Sequence, residues 1–411
     1  MRARRLCLGL AALACIPALT GCGGVGTSPA AQSVGTQLTI YSSLPLQGPA
    51  AGISQQIVGG EKLALAHAGG RVGRFTVSYV SLDDSNPTTG EWDPGVTAAN
   101  AKAAAQDPTT IAYLGDLNSG ATAISLPLTN AAGILQVSPS SPYIGLTSSL
   151  YAGQGEPERF YLAGKRTFGR VAPGDPVQAA AQVALLNRLG VRRLYVVADE
   201  DPFDAPLAQI VAADARRAGI GIEGIDTIAI APGANFTGEV AKVAESGAQA
   251  VFLSATATAA AAQLARQLHA AAPRLSLLAS SSTLNTVFTS NLGPAESGTF
   301  IGSPVLAPRL YPLSARRVLV EYSHRFAPSP EPYVLYGYEA MSVVLAAIRM
   351  AGANGDDRQA VIGKLLATRN RSSVLGSYSM QPSGETTLSS YAIDRVSKGA
   401  PVFWHEFDVA G

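Results

Sequence analysis

The feature that most restricts this chain is an exchange of two hydrophobic periods. From Leu38 onward, short β-branched apolar runs alternate with amphipathic stretches of helical length. Strands are expected at Leu38–Ser43, Phe75–Leu82, Ile111–Leu114 and Ile134–Ser138, with helices near Ile53–His67, Val96–Gln106 and Ala121–Ala132 between them. A strand that feeds a helix and then another strand makes a parallel pair with a right-handed crossover, so the pattern predicts a parallel sheet. The strand runs are apolar throughout, as they must be where helices cover both faces of a sheet.

A second series of the same kind follows an irregular stretch at 148–165. Its strands are expected at Arg193–Ala198, Gly221–Ile228, Val251–Ser254 and Leu275–Ala279, and its helices near Val177–Leu189, Pro206–Ala218, Glu239–Ser246 and Ala257–Ala272. Ala271-Ala272-Pro273 and Arg217-Ala218-Gly219 are helix stops. Beyond them come a strand at Thr299–Val305, helices near Ser314–Phe326 and Tyr333–Ala351, and a tail of strands at Ser377–Met380, Ser390–Arg395 and Val402–Glu406. Turns fall at Pro382-Ser383-Gly384 and Lys398-Gly399. The expected fold class is therefore α/β, with two doubly wound, Rossmann-like lobes. Such sheets bind small molecules beyond the carboxyl ends of their strands, and two facing lobes enclose a cleft.

The amino terminus carries a different message. Arg2, Arg4 and Arg5 precede an apolar run, Leu6 to Leu19, that only Pro17 interrupts. The run falls short of the ~20 residues that span a bilayer, so residues 1–21 read as a signal peptide. It ends in Leu19-Thr20-Gly21-Cys22, which resembles the lipobox of bacterial lipoproteins and implies acylation of Cys22. An ordinary secretory signal, cut elsewhere, is the plainer alternative. Cys7 and Cys15 lie inside the signal, so Cys22 is the sole cysteine of the mature chain and no internal disulfide can form. Residues 22–36, rich in Gly, Ser, Ala and Thr, make a flexible leash. Loss of residues 1–21 removes three arginines and no acids from 30 basic and 29 acidic residues, leaving a mature charge of −2. No basic stripe suited to nucleic acid is present.

Enzyme signatures are missing. There is no His-Glu-x-x-His, Cys-x-x-Cys, Gly-x-Ser-x-Gly or phosphate loop, and His67, His269, His324 and His405 are scattered without ligand spacing. No metal or cofactor is expected. The acids of Asp83-Asp84 and Asp199-Glu200-Asp201 are read first as helix-capping or solvated groups.

Several segments, in order, resemble type I periplasmic solute-binding proteins, above all the branched-chain amino acid (Leu/Ile/Val) receptors of ABC transporters. They are Ile40-Tyr41-Ser42-Ser43-Leu44-Pro45-Leu46-Gln47-Gly48, Val80-Ser81-Leu82-Asp83-Asp84, Ile111-Ala112-Tyr113-Leu114-Gly115-Asp116-Leu117-Asn118-Ser119-Gly120, Ala132-Gly133-Ile134-Leu135-Gln136-Val137-Ser138-Pro139 and Tyr336-Gly337-Tyr338-Glu339-Ala340. The similarity extends over essentially the whole mature body. It implies three crossings between lobes, with lobe 1 at 37–170 plus 300–368 and lobe 2 at 171–299 plus 369–411.

The resemblance also implies ligand contacts at Gln47, Asn118, Ser119, Ser140, Ser141, Phe203 and Ser281. Asn118 and Ser119 open a helix whose free N–H groups and dipole favour a carboxylate, although either is equally a plain N-cap. Ser140 and Ser141 occupy a Ser-Pro turn. Phe203 keeps the ring of the family's aromatic but not a hydroxyl. Ser281 stands where the family places the acid that pairs a ligand ammonium, so either Asp116, Glu200 or Asp201 substitutes or the ligand lacks an α-amino group. The function implied is an extracytoplasmic lipoprotein receptor, monomeric, that hands an amino acid or related organic acid to an ABC permease and is held at the membrane by its lipid. A sensory lipoprotein of the same fold is the alternative. A cleft hydrolase using Ser119 or Ser140 would need a histidine base within reach.

Overall fold

The computed structural model describes residues 35–410. The expected signal peptide, Cys22 and the leash up to residue 34 lie outside the described residues. Strands β1 (Gln37–Leu44), β2 (Arg71–Val72), β3 (Phe75–Asp83), β4 (Thr110–Leu114), β5 (Leu135–Ser138) and β6 (Phe168–Arg170) form the first sheet, in the order β2-β3-β1-β4-β5-β6. Every pairing is parallel except β2 with β3. Helices α1 (Ala51–His67), α2 (Pro94–Gln106) and α3 (Ser119–Ala131) make the crossovers. β4 and β5 are buried at every residue, as their apolar runs require.

The chain then builds α4 (Asp175–Arg188), β7 (Arg193–Asp199), α5 (Asp204–Arg217), β8 (Gly221–Ile228), α6 (Thr237–Glu245), β9 (Ala250–Ser254), α7 (Ala259–Ala271), β10 (Ser276–Ala279), α8 (Thr286–Thr289) and β11 (Thr299–Ser303). It returns to the first lobe as α9 (Leu313–Arg325), α10 (Tyr333–Ala351), α11 (Arg358–Leu366) and a hairpin of β12 (Arg371–Ser373) and β13 (Gly376–Tyr378). Finally β14 (Ser390–Ser397) and β15 (Ala400–Asp408) complete the second sheet, ordered β15-β14-β11-β10-β9-β7-β8. β11, β14 and β15 are joined antiparallel. β8 departs from the continuous apolar pattern: its exposure alternates residue by residue, because it is an outer strand bonded only to β7.

Two expected lobe divisions shift. β11 pairs with β10 and β14, so 300–303 belong with the second sheet. Val374, Leu375, Tyr378 and Met380 pack with Leu38, Ile111 and the inner face of α10, so the start of the 369–411 tail belongs to the first core. Sheet pairing and packing against α10, both long-range, decide these assignments. α10 is long and apolar enough to cross a bilayer by composition, but two thirds of that stretch is buried in the protein, which makes it a core helix. It crosses α1 with the two backbones touching: a Cβ at Gly60 would overlap the Val334 carbonyl oxygen, and one at Gly337 would overlap that of Ile57.

Each sheet has a point where its winding reverses. In the first it lies between β1 and β4, and in the second between β7 and β9. Ligands bind at such points, where two loops diverge and leave a crevice.

Candidate ligand cleft

A cavity of about 250 Å³ opens where these two reversal points meet. Its first wall is the loop from β4 into α3, Leu117 to Gly120, with Ser140, Pro142 and Tyr143 after β5. The second wall is Asp201, Phe203 and Asp204 between β7 and α5, Thr256 after β9, and Ser281 and Ser282 after β10. Pro173, Asp175 and Pro304 from the crossing segments, Tyr333 of α10 and Tyr391 of β14 close the back.

Five of the seven residues expected at the ligand are thus brought together: Asn118, Ser119, Ser140, Phe203 and Ser281. Gln47 and Ser141 do not reach the cavity. The Gln47 amide donates to Asp83 Oδ2 at 2.7 Å, and its backbone N–H donates to Ser85 Oγ at 3.1 Å, so it braces the loops after β1 and β3. Ser141 is fully buried with φ 41°, and its hydroxyl donates to the Asp116 carbonyl at 2.9 Å and pairs with Thr122 Oγ1 at 2.7 Å. It is a strut between the loops after β4 and β5.

The start of α3 is a donor site. Asn118 occupies the N-cap position without a side-chain cap bond, its Oδ1 is buried and unpartnered, and Ser119 Oγ accepts from Tyr143 N at 3.3 Å. The first N–H groups of a helix have no acceptor within it, so this end can receive a carboxylate.

The opposite wall is acidic. Asp175, Asp201 and Asp204 line the cavity, and no Lys, Arg or His does so among the described residues. Asp175 and Asp204 are each 3% exposed. Burial pushes Asp204 up to about 8, helped by Asp201, Asp199 and Asp175, and pushes Asp175 up to about 7 against the pull of Arg170. Asp201 is raised too, by burial first, although Phe203 N–H donates to its Oδ1 at 2.8 Å. Of the three acids considered as replacements for the missing one, Asp201 alone reaches the cleft. Asp116 is turned inward, bonded to Ser125 and Tyr113, and Glu200 is exposed.

Sequence reasoning missed Trp92, Tyr143, Asp175, Asp204, Tyr333 and Tyr391 as cleft residues. Trp92 sits on a loop bridged to Ser85, and its ring covers Gly120 together with that of Phe203. A Cβ on Gly120 would lie 2.8 Å from the Trp92 ring and 3.1 Å from the Phe203 ring. The one sequence signal for Trp92 was a rare aromatic in a polar Asn-Pro-Gly loop.

Two α/β lobes, three crossings and a cleft at both winding reversals are the architecture of a two-lobed solute-binding protein. The sequence model of the periplasmic binding protein family matches residues 38–400. The chain therefore belongs to that family. It is 26% identical over 360 residues to Leu/Ile/Val-binding protein homolog 1 of Brucella melitensis, covering 87% of this chain and 90% of that protein. Among solved structures, a leucine binding protein from Thermotoga maritima superposes with a TM-score of 0.74 at 19% identity, over 90% of this chain and 99% of its own. An ABC transporter substrate-binding protein from Desulfitobacterium hafniense in complex with Leu gives 0.72 at 18% identity, over 90% and 100%.

Proposed function

We propose that the chain is an extracytoplasmic substrate-binding lipoprotein of an ABC importer, which takes an amino acid or related organic acid between its lobes. One observation carries the ligand reading: a helix start with free donors faces an acidic wall across a small cavity. That arrangement suits a molecule with a carboxylate at one end and a cation at the other. The N-terminus of α3 would hold the carboxylate, its dipole contributing about 0.3–2 kcal/mol. Closing the lobes about the crossings buries the ligand and creates a surface that only the loaded receptor presents to a permease. None of the four histidines lines the cleft, so Ser119 and Ser140 have no base of the kind a hydrolase would need.

Calorimetric titration of the full chain with a panel of amino acids and simple carboxylates tests the receptor reading. At least one member is expected to bind; none binding would overturn it. The anchor rests on Leu19-Thr20-Gly21-Cys22 alone. Cys22→Ala is expected to move the protein from the membrane fraction to the soluble one, and unchanged fractionation would remove the lipid from the account.

A further inference from the structure

We propose that the ligand is an α-amino acid with a second positive charge, an ammonium or guanidinium, on its side chain, held by Asp175, Asp201 and Asp204. The proposal rests on the receptor reading above and narrows its ligand.

A neutral amino acid is a zwitterion. Its carboxylate is met by the α3 N-terminus, and its single ammonium needs one carboxylate. The cleft offers three, on α4, on the loop after β7 and on α5, and no basic side chain lines it among the described residues; only Asp175 feels a guanidinium, that of Arg170 outside the lining. Asp175 accepts from Ile144 N at 3.0 Å, and Asp204 has only long contacts at 3.4 Å from Ser254 and Thr256. Buried carboxylates with so few donors are unfavourable unless a cation joins them or they hold protons. Their raised titration, caused first by burial, fits a site built to receive a cation. The Arg170 guanidinium is turned to Ser141, Tyr143, Thr147 and Glu385 and does not line the cavity, which leaves Asp201 and Asp204 without a cation.

Two further groups at the cavity can receive such a ligand. The Tyr391 hydroxyl lines the cavity, is 1% exposed and has no hydrogen-bond partner. Asn118 Oδ1, also buried at the cavity, has none either. Asn118 Oδ1 can only accept, and the Tyr391 hydroxyl can accept or donate, so both can be met by N–H donors of a ligand. An ammonium brings three and a guanidinium five, whereas an aliphatic side chain brings none.

The test is calorimetry of the full chain with L-lysine, L-ornithine and L-arginine against L-leucine, benzoate and putrescine. One of the three basic amino acids is expected to bind at least tenfold tighter than leucine, benzoate and putrescine. Asp201→Asn, at a half-buried position, is expected to shrink the basic-to-leucine affinity ratio at least tenfold. As a measurement free of any variant, titration at pH 7 in two buffers of different ionisation enthalpy is expected to show more protons released by the basic ligand than by leucine. Leucine or benzoate binding as tightly as the basic amino acids would overturn the inference and leave the receptor reading standing. Putrescine binding tightest would overturn it by removing the carboxylate. Silence across the whole panel would overturn both.

Discussion

The rings of Phe203 and Tyr143 meet nearly at right angles across the cleft, with centroids 5.0 Å apart and planes at 89°. Phe203 follows β7 of the second sheet and Tyr143 follows β5 of the first, so the contact spans the two walls. An edge-to-face pair is worth about 0.5–1.5 kcal/mol beyond the area it buries. If that energy favours the closed arrangement, Phe203→Ala lowers the closed population and weakens ligand binding roughly 2- to 10-fold. Small-angle scattering is expected to show a larger radius of gyration for the variant without ligand. Unchanged affinity and radius would show that the pair does not hold the lobes.

Gly120 is the position where the roof of the cleft admits no side chain. Its Cα sits beneath the Trp92 and Phe203 rings, and an added methyl meets aromatic carbons at 2.8 Å and 3.1 Å. Both rings are half-buried, and one or both must swing away to admit the methyl, which opens the roof. Gly120→Ala is expected to reduce ligand affinity at least tenfold with little change in thermal stability. Adding Trp92→Ala should recover part of the loss by making room for the methyl. Wild-type affinity in the single variant would overturn this account of the roof.

The sequence exposed the repeating skeleton and hid what depends on contacts made at long range. β4 and β5 were legible because both faces of each strand are buried, which leaves an unbroken apolar run. β6 was not: Phe168-Gly169-Arg170 has no such run, and it is a strand because β5 pairs with it. α11 was missed although Asp357 caps it, accepting from Gln359 and Ala360, because its nine residues show a weak apolar stripe. At the cleft, the α3 start could be read from Asn118-Ser119-Gly120 directly. Asp175 could not, since an acid after Gly174 at the start of α4 looks like an ordinary first-turn residue. The Tyr336-Gly337 motif proved to be about helix packing: Gly337 lets α10 touch α1, and Glu339 pairs with Arg371 at 2.5 Å.

Ligand-free stability should fall as pH rises through neutrality. Burial pushes Glu61, Asp116 and Asp204 up to about 8, and Asp84 and Asp175 up to about 7. In the unfolded chain the same groups ionise near 4. Between about pH 4 and 8 the folded state therefore holds more protons than the unfolded one, and each rise in pH favours unfolding. Melting temperature is expected to be higher at pH 5 than at pH 8.5. Glu61 isolates the effect away from the cleft: it is fully buried, Tyr79 donates to its Oε2 at 2.5 Å, and its Oε1 has no partner. Glu61→Gln removes the titration, so it should raise the melting temperature at pH 8.5, by roughly 1–2 °C per kcal/mol for a chain of this length, and change it little at pH 5. An equal effect at both pH values would assign the gain to packing.

Arg170 ties two of the crossings together. It ends β6, where the chain leaves the first sheet, and its fully buried guanidinium forks onto Glu385 in the segment that leads back to β14. The remaining N–H groups donate to the Tyr143 carbonyl at 3.0 Å, to Thr147 Oγ1 at 2.9 Å and to the Ser141 carbonyl. Lysine cannot reproduce a planar fork that serves four partners. Arg170→Met leaves the Ser141 carbonyl without its donor and Glu385 with only the Thr147 hydroxyl, and breaking a largely buried pair in this way costs up to about 3–5 kcal/mol. Urea unfolding should show that loss as a lower midpoint at unchanged slope. Replacing both partners, Arg170→Met with Glu385→Leu, should recover a substantial part of it, since no lone charge is then left behind. Arg170 also holds the Asp175 titration down. Loss of the guanidinium should therefore move the pH at which ligand affinity changes upward, and a pH profile unaltered by Arg170→Met would separate the hinge clamp from the cleft.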